Sequence, residues 1–221
     1  MKRMYRLFYI LMFLPLIIAL IMLPILPNNI PMHYNSQNEI DRWGSKYESL
    51  ILPLIIIGIG FFLRAMGKLS SKNETNENNS NEKASITMGI ATLLLFNFMT
   101  YIFLYTGYMQ SVVDVEYKLD FNRAIFSIMG IVLIIIGNIM PKCKMNSIIG
   151  LRTTWSMKNE RTWFLSQRFG GLVFIIAGLV IILGNILIFK GIDSLIFSLA
   201  ILIFSTLISV IYTYYIYKKS Y

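Results

Sequence analysis

Charge is scarce in this sequence, and two residue types that build chemical sites are almost absent. Only 14% of its 221 residues are charged, one is cysteine and one is histidine. A lone cysteine excludes an internal disulfide and any cysteine-rich metal site, so Cys143, between Lys142 and Lys144, is expected to be an inert free thiol. The lone His33 has Glu39 and Asp41 nearby in the chain, and one imidazole with two loop carboxylates falls short of a metal-ligand set. A hydrogen-bonded loop histidine is expected instead, with no metal and no cofactor. No P-loop, Gly-x-Ser-x-Gly elbow or His-Glu-x-x-His occurs. The long apolar runs hold no ionisable pair on which coupled transport could run. No catalytic residues are assigned, and the chain is read as a non-enzyme.

What is abundant is hydrocarbon. The chain is 56% hydrophobic with a mean hydropathy of +0.64, an excess that needs lipid as solvent. A span needs about 20 apolar residues, because unpaired peptide groups are not tolerated in a bilayer core. Six stretches qualify: Leu7 to Leu26, Leu50 to Met66, Ile86 to Met109, Ala124 to Met140, Gly171 to Phe189 and Leu195 to Tyr217. The fold class is therefore all-α, a polytopic helical membrane protein with about six transmembrane helices. The first stretch follows basic residues as a signal peptide would, but it is too long for a signal core and lacks a small-residue cleavage site. A retained first helix is expected.

Base placement gives the orientation. Fifteen of the 20 Lys and Arg lie at the amino terminus, in the second and fourth connections or in the tail; the opposite face receives Arg42, Lys46, Lys118, Arg123 and Lys190. Bases in short loops stay in the cytoplasm, so both termini are expected there. The formal charge of +9 is then a topology signal, and direct nucleic-acid binding is not expected because no soluble basic module is present.

Three segments follow: 1–66, two helices with an ordered external loop at 27–48; 67–85, a disordered cytoplasmic linker; and 86–221, four helices with a cytoplasmic loop at 141–170. The linker is polar and of low complexity; its glycosylation patterns at Asn73 and Asn78 fall on the cytoplasmic side, where modification is not expected. Between the third and fourth spans, Val113, Val115, Tyr117 and Leu119 alternate with polar residues as in a short strand or extended interfacial segment. Small residues recur as Gly58 with Gly60, Gly130 with Gly137, Gly171 with Gly178 and Ser205 with Ser209 and favour close helix approach, and Asn97, Asn138 and Asn185 are candidates for interhelical hydrogen bonds. In the external loop, Pro27 and Pro31 favour extended backbone, and Tyr34 and Trp43 suit the headgroup level. In the inner loop the apolar positions from Met157 to Phe169 scatter around a helical wheel, so no simple amphipathic surface helix is read there. Its tryptophans are expected to anchor the loop at the headgroup level, with Arg152, Arg161 and Arg168 facing lipid phosphates, Glu160 or a protein.

Both loops resemble a known family. Ile30-Pro31-Met32-His33 and Asp41-Arg42-Trp43-Gly44-Ser45-Lys46 resemble the external motif of the SdpI family of bacterial immunity membrane proteins. Gly137 to Lys142, Asn146, Ile149-Gly150-Leu151-Arg152-Thr153, Trp155, Glu160, Trp163 and Arg168-Phe169-Gly170-Gly171 resemble its second motif. The sequence departs from the pattern at Asn38, Ile40, Thr154 and Gln167, the last replacing a histidine with a group that does not titrate.

The resemblance implies a membrane immunity protein protecting against a secreted peptide toxin, with a second role in holding a transcriptional repressor at the membrane. His33, Tyr34, Asp41, Arg42, Trp43 and Lys46 are then the expected toxin-facing residues. Asn146, Gly150, Arg152, Thr153, Trp155, Glu160, Trp163 and Arg168 are the expected cytoplasmic partner loop. The competing reading is a small membrane transporter or a transporter accessory subunit. In either case the lipid bilayer is a constant partner.

Overall fold

A computed structural model describes residues 1–35, 39–72, 80–112 and 120–219. Six helices are long and apolar enough to cross a membrane: α1 (Lys2–Met22), α2 (Ile51–Ser71), α3 (Ser80–Val112), α4 (Phe121–Ile139), α5 (Glu160–Leu187) and α6 (Gly191–Lys219). The protein is a multi-pass membrane protein. Between α1 and α2 the chain forms a two-stranded antiparallel hairpin, β1 (Asn29–Tyr34) and β2 (Ile40–Ser45), followed by a 3-10 turn at Lys46–Leu50.

The bundle carries its apolar residues outward. Phe61, Phe62, Ile203, Phe204 and Ile211 are each more than half exposed, whereas Asn97, Thr100, Thr162, Ser166, Gln167, Asn185 and Ser198 are buried. Lipid solvates the apolar exterior at no cost, and interior polar groups are tolerated where they find partners. Asn97 on α3 donates to the Leu11 carbonyl of α1 at 2.8 Å and accepts from the Tyr101 hydroxyl at 2.6 Å. Asn185 on α5 donates to Ser198 at 3.1 Å and accepts from Ser194 at 2.7 Å, both on α6. Asn138 makes no such bridge and lies exposed on α4.

The tightest contact joins α4 to α5 through reciprocal glycines. A Cβ on Gly137 would stand 2.4 Å from the Gly171 carbonyl oxygen, and one on Gly171 would stand 2.4 Å from that of Gly137. One turn-pair along, Gly130 and Gly178 meet in the same way, at 2.8 and 2.4 Å. No side chain fits between the backbones at these points.

The helices are longer than the apolar runs. The segment read as a disordered linker, 67–85, is helical up to Ser71 and again from Ser80; 73–79, with both glycosylation patterns, lies outside the described residues. Three of its polar residues pair across the two helices: Ser70 Oγ lies 2.9 Å from Ser85 Oγ, and Asn81 donates to the Ser70 carbonyl at 3.3 Å. Beside them Arg64 lies over the Tyr5 ring, 4.4 Å from its centroid, and 3.9 Å from Glu82, which also accepts from the Tyr5 hydroxyl. The alternating segment expected at Val113 to Leu119 likewise falls outside the described residues.

Replacing Gly171 by Ala should destabilise the protein by about 1–3 kcal/mol, the usual cost of overpacking. Gly58→Leu should be nearly silent, because nothing lies within 4 Å of a Cβ at Gly58. Thermal unfolding in detergent, followed by the loss of monodisperse protein, compares the two.

Candidate functional site

Two loops at opposite ends of the bundle hold the motif residues. The first is the hairpin. Ile30 is fully buried against Ala19, Leu26 and Leu104, which seats β1 on the ends of α1 and α3. Pro31 has no N–H to offer a ladder and pairs opposite Trp43, next to an irregularity in register. Tyr34 donates to Gln110 on α3 at 3.0 Å and its ring lies 4.5 Å from that of Phe121 on α4. Burial raises the pKa of the Tyr34 phenol above its ordinary value, so it stays a neutral donor.

Most of the motif side chains here serve the hairpin itself. His33 Nδ1 lies 2.6 Å from Asp41 across the strands. Arg42 pairs with Glu48. Glu48 also accepts from the Ser45 N–H at 3.0 Å, completing a capping box that starts the 3-10 turn. A Cβ at Gly44 would come 2.4 Å from the Glu48 carboxylate, so a larger residue there would press on the capping side chain. Lys46 reaches the Leu26 carbonyl at 3.3 Å. Glu39 is turned toward the Asn35 amide, 3.0 Å away, and not toward His33. Trp43 differs: its side chain is 51% exposed, and its neighbour Tyr47 is 63% exposed. The fold makes little use of either ring.

The second loop, between α4 and α5, is ordered by short polar residues. Asn146 accepts from Ile148 and Ile149 N–H, both at 2.8 Å, and donates to the Lys144 and Ile149 carbonyls. This Asx turn leads to Gly150 at φ 100°, a left-handed conformation that favours glycine. The buried Gln167 side chain grips the next residue twice, accepting from the Leu151 N–H at 2.8 Å and donating to its carbonyl at 2.9 Å. Thr153 and Ser156 exchange side-chain and backbone bonds at 2.9 Å, and Thr153 Oγ1 meets Thr213 of α6 at 2.9 Å. Asn159 then caps α5.

Here the structure corrects the sequence reading. Trp163 is 2% exposed and donates to the Cys143 carbonyl at 2.7 Å; it is a core residue and not a headgroup anchor. The reason is that α5 begins at Glu160, so 160–170 is its first three turns. Its buried face is Thr162, Trp163, Ser166, Gln167 and Gly170, a helical stripe built of polar and small residues that hydrophobic periodicity does not register. Trp155 is half-buried, 5.1 Å from the Tyr214 ring. Arg152, Glu160, Arg161 and Arg168 are exposed. Sequence reasoning missed the work of Gln167, Ser156 and Asn159; only the spacing of Asn159 and Thr162, a capping pair, could have flagged one of them.

Comparison with known proteins follows this division into two loops. Residues 142–213 match the SdpI/YfhL protein family. The family resemblance holds. Residues 10–57, which contain the hairpin, match a domain of unknown function, DUF1648. Immunity protein SdpI of Bacillus subtilis (strain 168) is 26% identical over 161 residues, covering 72% of this chain and 70% of that protein. No solved structure matches. The match to the SdpI/YfhL family thus begins at Lys142 and takes in the whole Asx-turn loop, α5 and most of α6.

Gly150→Ala should cost stability on two counts, because a Cβ would stand 2.7 Å from the Gln167 amide oxygen and the φ is strained. Gln167→Glu should cost about 1–3 kcal/mol by replacing the amide that donates to the Leu151 carbonyl with a second acceptor. Both are read as a lowered melting temperature, and both should increase proteolysis within 143–159.

Proposed function

We propose that the chain is a membrane immunity protein, protecting the cell that carries it from a secreted peptide toxin. The observation that carries this reading is its relationship to a protein named for immunity, extending over 161 residues. The geometry supports it. The hairpin is braced on three helices and stiffened by His33–Asp41 and Arg42–Glu48, so it presents Trp43 and Tyr47 on a rigid platform at little entropic cost to binding. Aromatic rings of this kind often dominate a protein or peptide contact.

Orientation is part of the proposal: both termini and the Asx-turn loop cytoplasmic, the hairpin outside. The distribution of bases supports it. A cytoplasm-active reporter fused after Lys72 or Lys144 should give signal, and one fused after Ser45 or Glu116 should not. The reverse pattern would sink the assignment.

The inner loop is the proposed contact for a cytoplasmic transcriptional repressor. Asn146, Gly150, Thr153 and Trp163 shape that loop, which leaves Arg152, Glu160 and Arg168 as its outward groups, with Trp155 half-buried. A guanidinium pairs a carboxylate through two parallel bonds, whereas an ammonium is a point charge. Lipid anchoring should therefore tolerate Arg→Lys at 152 and 168, and a protein contact should not.

One paired experiment tests both faces in a toxin-sensitive strain at matched membrane levels. Trp43→Ala should abolish survival. Arg152→Lys with Arg168→Lys should leave survival intact and lower repressor recruitment. Survival with Trp43→Ala would remove the hairpin from toxin binding, and wild-type recruitment by the lysine variant would reduce the inner loop to a membrane anchor.

A further inference from the structure

The six helices form two sets of three, α1–α3 and α4–α6, and among the helices only α3 and α4 make substantial contact between the sets. The sets are joined firmly at both ends. At the inner end Ala84 packs with Ile139, Cys143 and Trp163, and the Asn81 side chain accepts from the Lys144 N–H at 2.8 Å. At the hairpin end Tyr34 bridges Gln110 and Phe121. Between these joints the seam opens. A cavity of about 770 Å³ is lined by Met4, Lys83, Thr87, Ile135, Asn138 and Lys142. A second, of about 370 Å³, is lined by Leu94, Phe98, Tyr101, Ile131 and Ile135. Ile135 lines both, which places the two end to end along the α3–α4 seam as a cleft that leads from Lys83 and Lys142 toward Phe98 and Tyr101.

The chemistry changes along that cleft. Its inner end holds the exposed ammonium groups of Lys83 and Lys142 with the Asn138 amide, and no carboxylate lines it. Neither lysine is paired with a carboxylate among the described residues. Its deep end is almost wholly hydrocarbon. A soluble anion would match the first part and waste the second; a neutral hydrocarbon would do the opposite. Fifteen residues of α3 separate Lys83 from Phe98, about 22 Å at 1.5 Å per residue. That is about half of a bilayer including its headgroups.

We propose that this cleft binds one anionic phospholipid from the leaflet on the side of the Asx-turn loop. The phosphate lies at Lys83 and Lys142, and an acyl chain follows Ile135, Ile131 and Leu94 between the two halves. The lipid fills the gap that helix packing leaves between the two joints. It is a component of the folded protein and independent of the immunity reading.

The full chain, purified in detergent and mixed with phosphatidylglycerol or phosphatidylcholine, is examined by native mass spectrometry for lipid retained per chain. Wild type should retain one phosphatidylglycerol in preference to phosphatidylcholine. Lys83→Gln with Lys142→Gln should lower that retention about tenfold, since each base near the membrane surface attracts anionic lipid. Asn138→Trp keeps both charges and fills the cleft, and should also displace the lipid. Lys158→Gln with Lys218→Gln, at the same membrane end but off the cleft, should change nothing. Equal retention of the two lipids, or retention unaffected by either cleft variant, would mean annular lipid only and overturn the proposal. Displacement of phosphatidylglycerol by inorganic phosphate would overturn it too, in favour of a soluble-anion site.

Discussion

Backbone contact between α4 and α5 is the constraint from which the rest of the second half follows. In lipid there is no hydrophobic gain from joining two apolar helices, so association depends on how closely their backbones approach. Gly130–Gly178 and Gly137–Gly171 bring them to carbonyl distance at two levels. Because Gly137 nearly ends α4 and Gly171 lies only twelve residues after Asn159, the connection has little room. It must fold back on the first turns of α5, and it does so through side-chain bonds to its own backbone. Gln167, Thr162 and Trp163 supply the groups that close it from the helix side.

At the far end the same helices are closed by two charged residues that use their charge on backbone. Asp120 caps α4 by accepting from the Arg123 N–H at 3.0 Å and accepts from Gly191, the first residue of α6, at 2.6 Å. Arg123 donates to the Asn185 carbonyl at 2.6 Å and to that of Ile186, covering the last turn of α5. A carboxylate at helix starts and a guanidinium at a helix end both suit the macrodipole. The three helices α4–α6 are thus a closed unit, which explains why the seam with α3 is the looser one and why a cleft opens there.

The hairpin works by a different rule, since it lies beyond the helices. Its strands are too short to be stable alone, and burial of Ile30 and Leu26 against α1 and α3 supplies what the ladder lacks. Once it is fixed, the motif divides by physical role: His33, Asp41, Arg42, Gly44 and Ser45 build the hairpin, and Trp43 is what it displays. The motif of the Asx-turn loop divides in the same manner, with Asn146, Gly150, Thr153 and Trp163 holding the loop together and Arg152, Glu160 and Arg168 exposed.

The sequence by itself determined the six apolar helices, because crossing a bilayer is a property of local composition and length. It passed over the work of Ser156, Asn159 and Gln167 but named the motif residues of both loops as candidates. It could not sort them. The buried faces of α5 and α6, with Thr162, Ser166 and Gln167 on one and Ser194, Ser198, Ser205 and Ser209 on the other, are polar and small. In a bilayer hydrophobicity marks the side facing lipid, so a wheel of apolar positions points away from the contacts that matter. Which polar side chain satisfies a backbone group and which is left for a partner depends on distances between residues far apart in the chain. Thr153 with Thr213, and Asn81 with Lys144, meet only once the helices have packed.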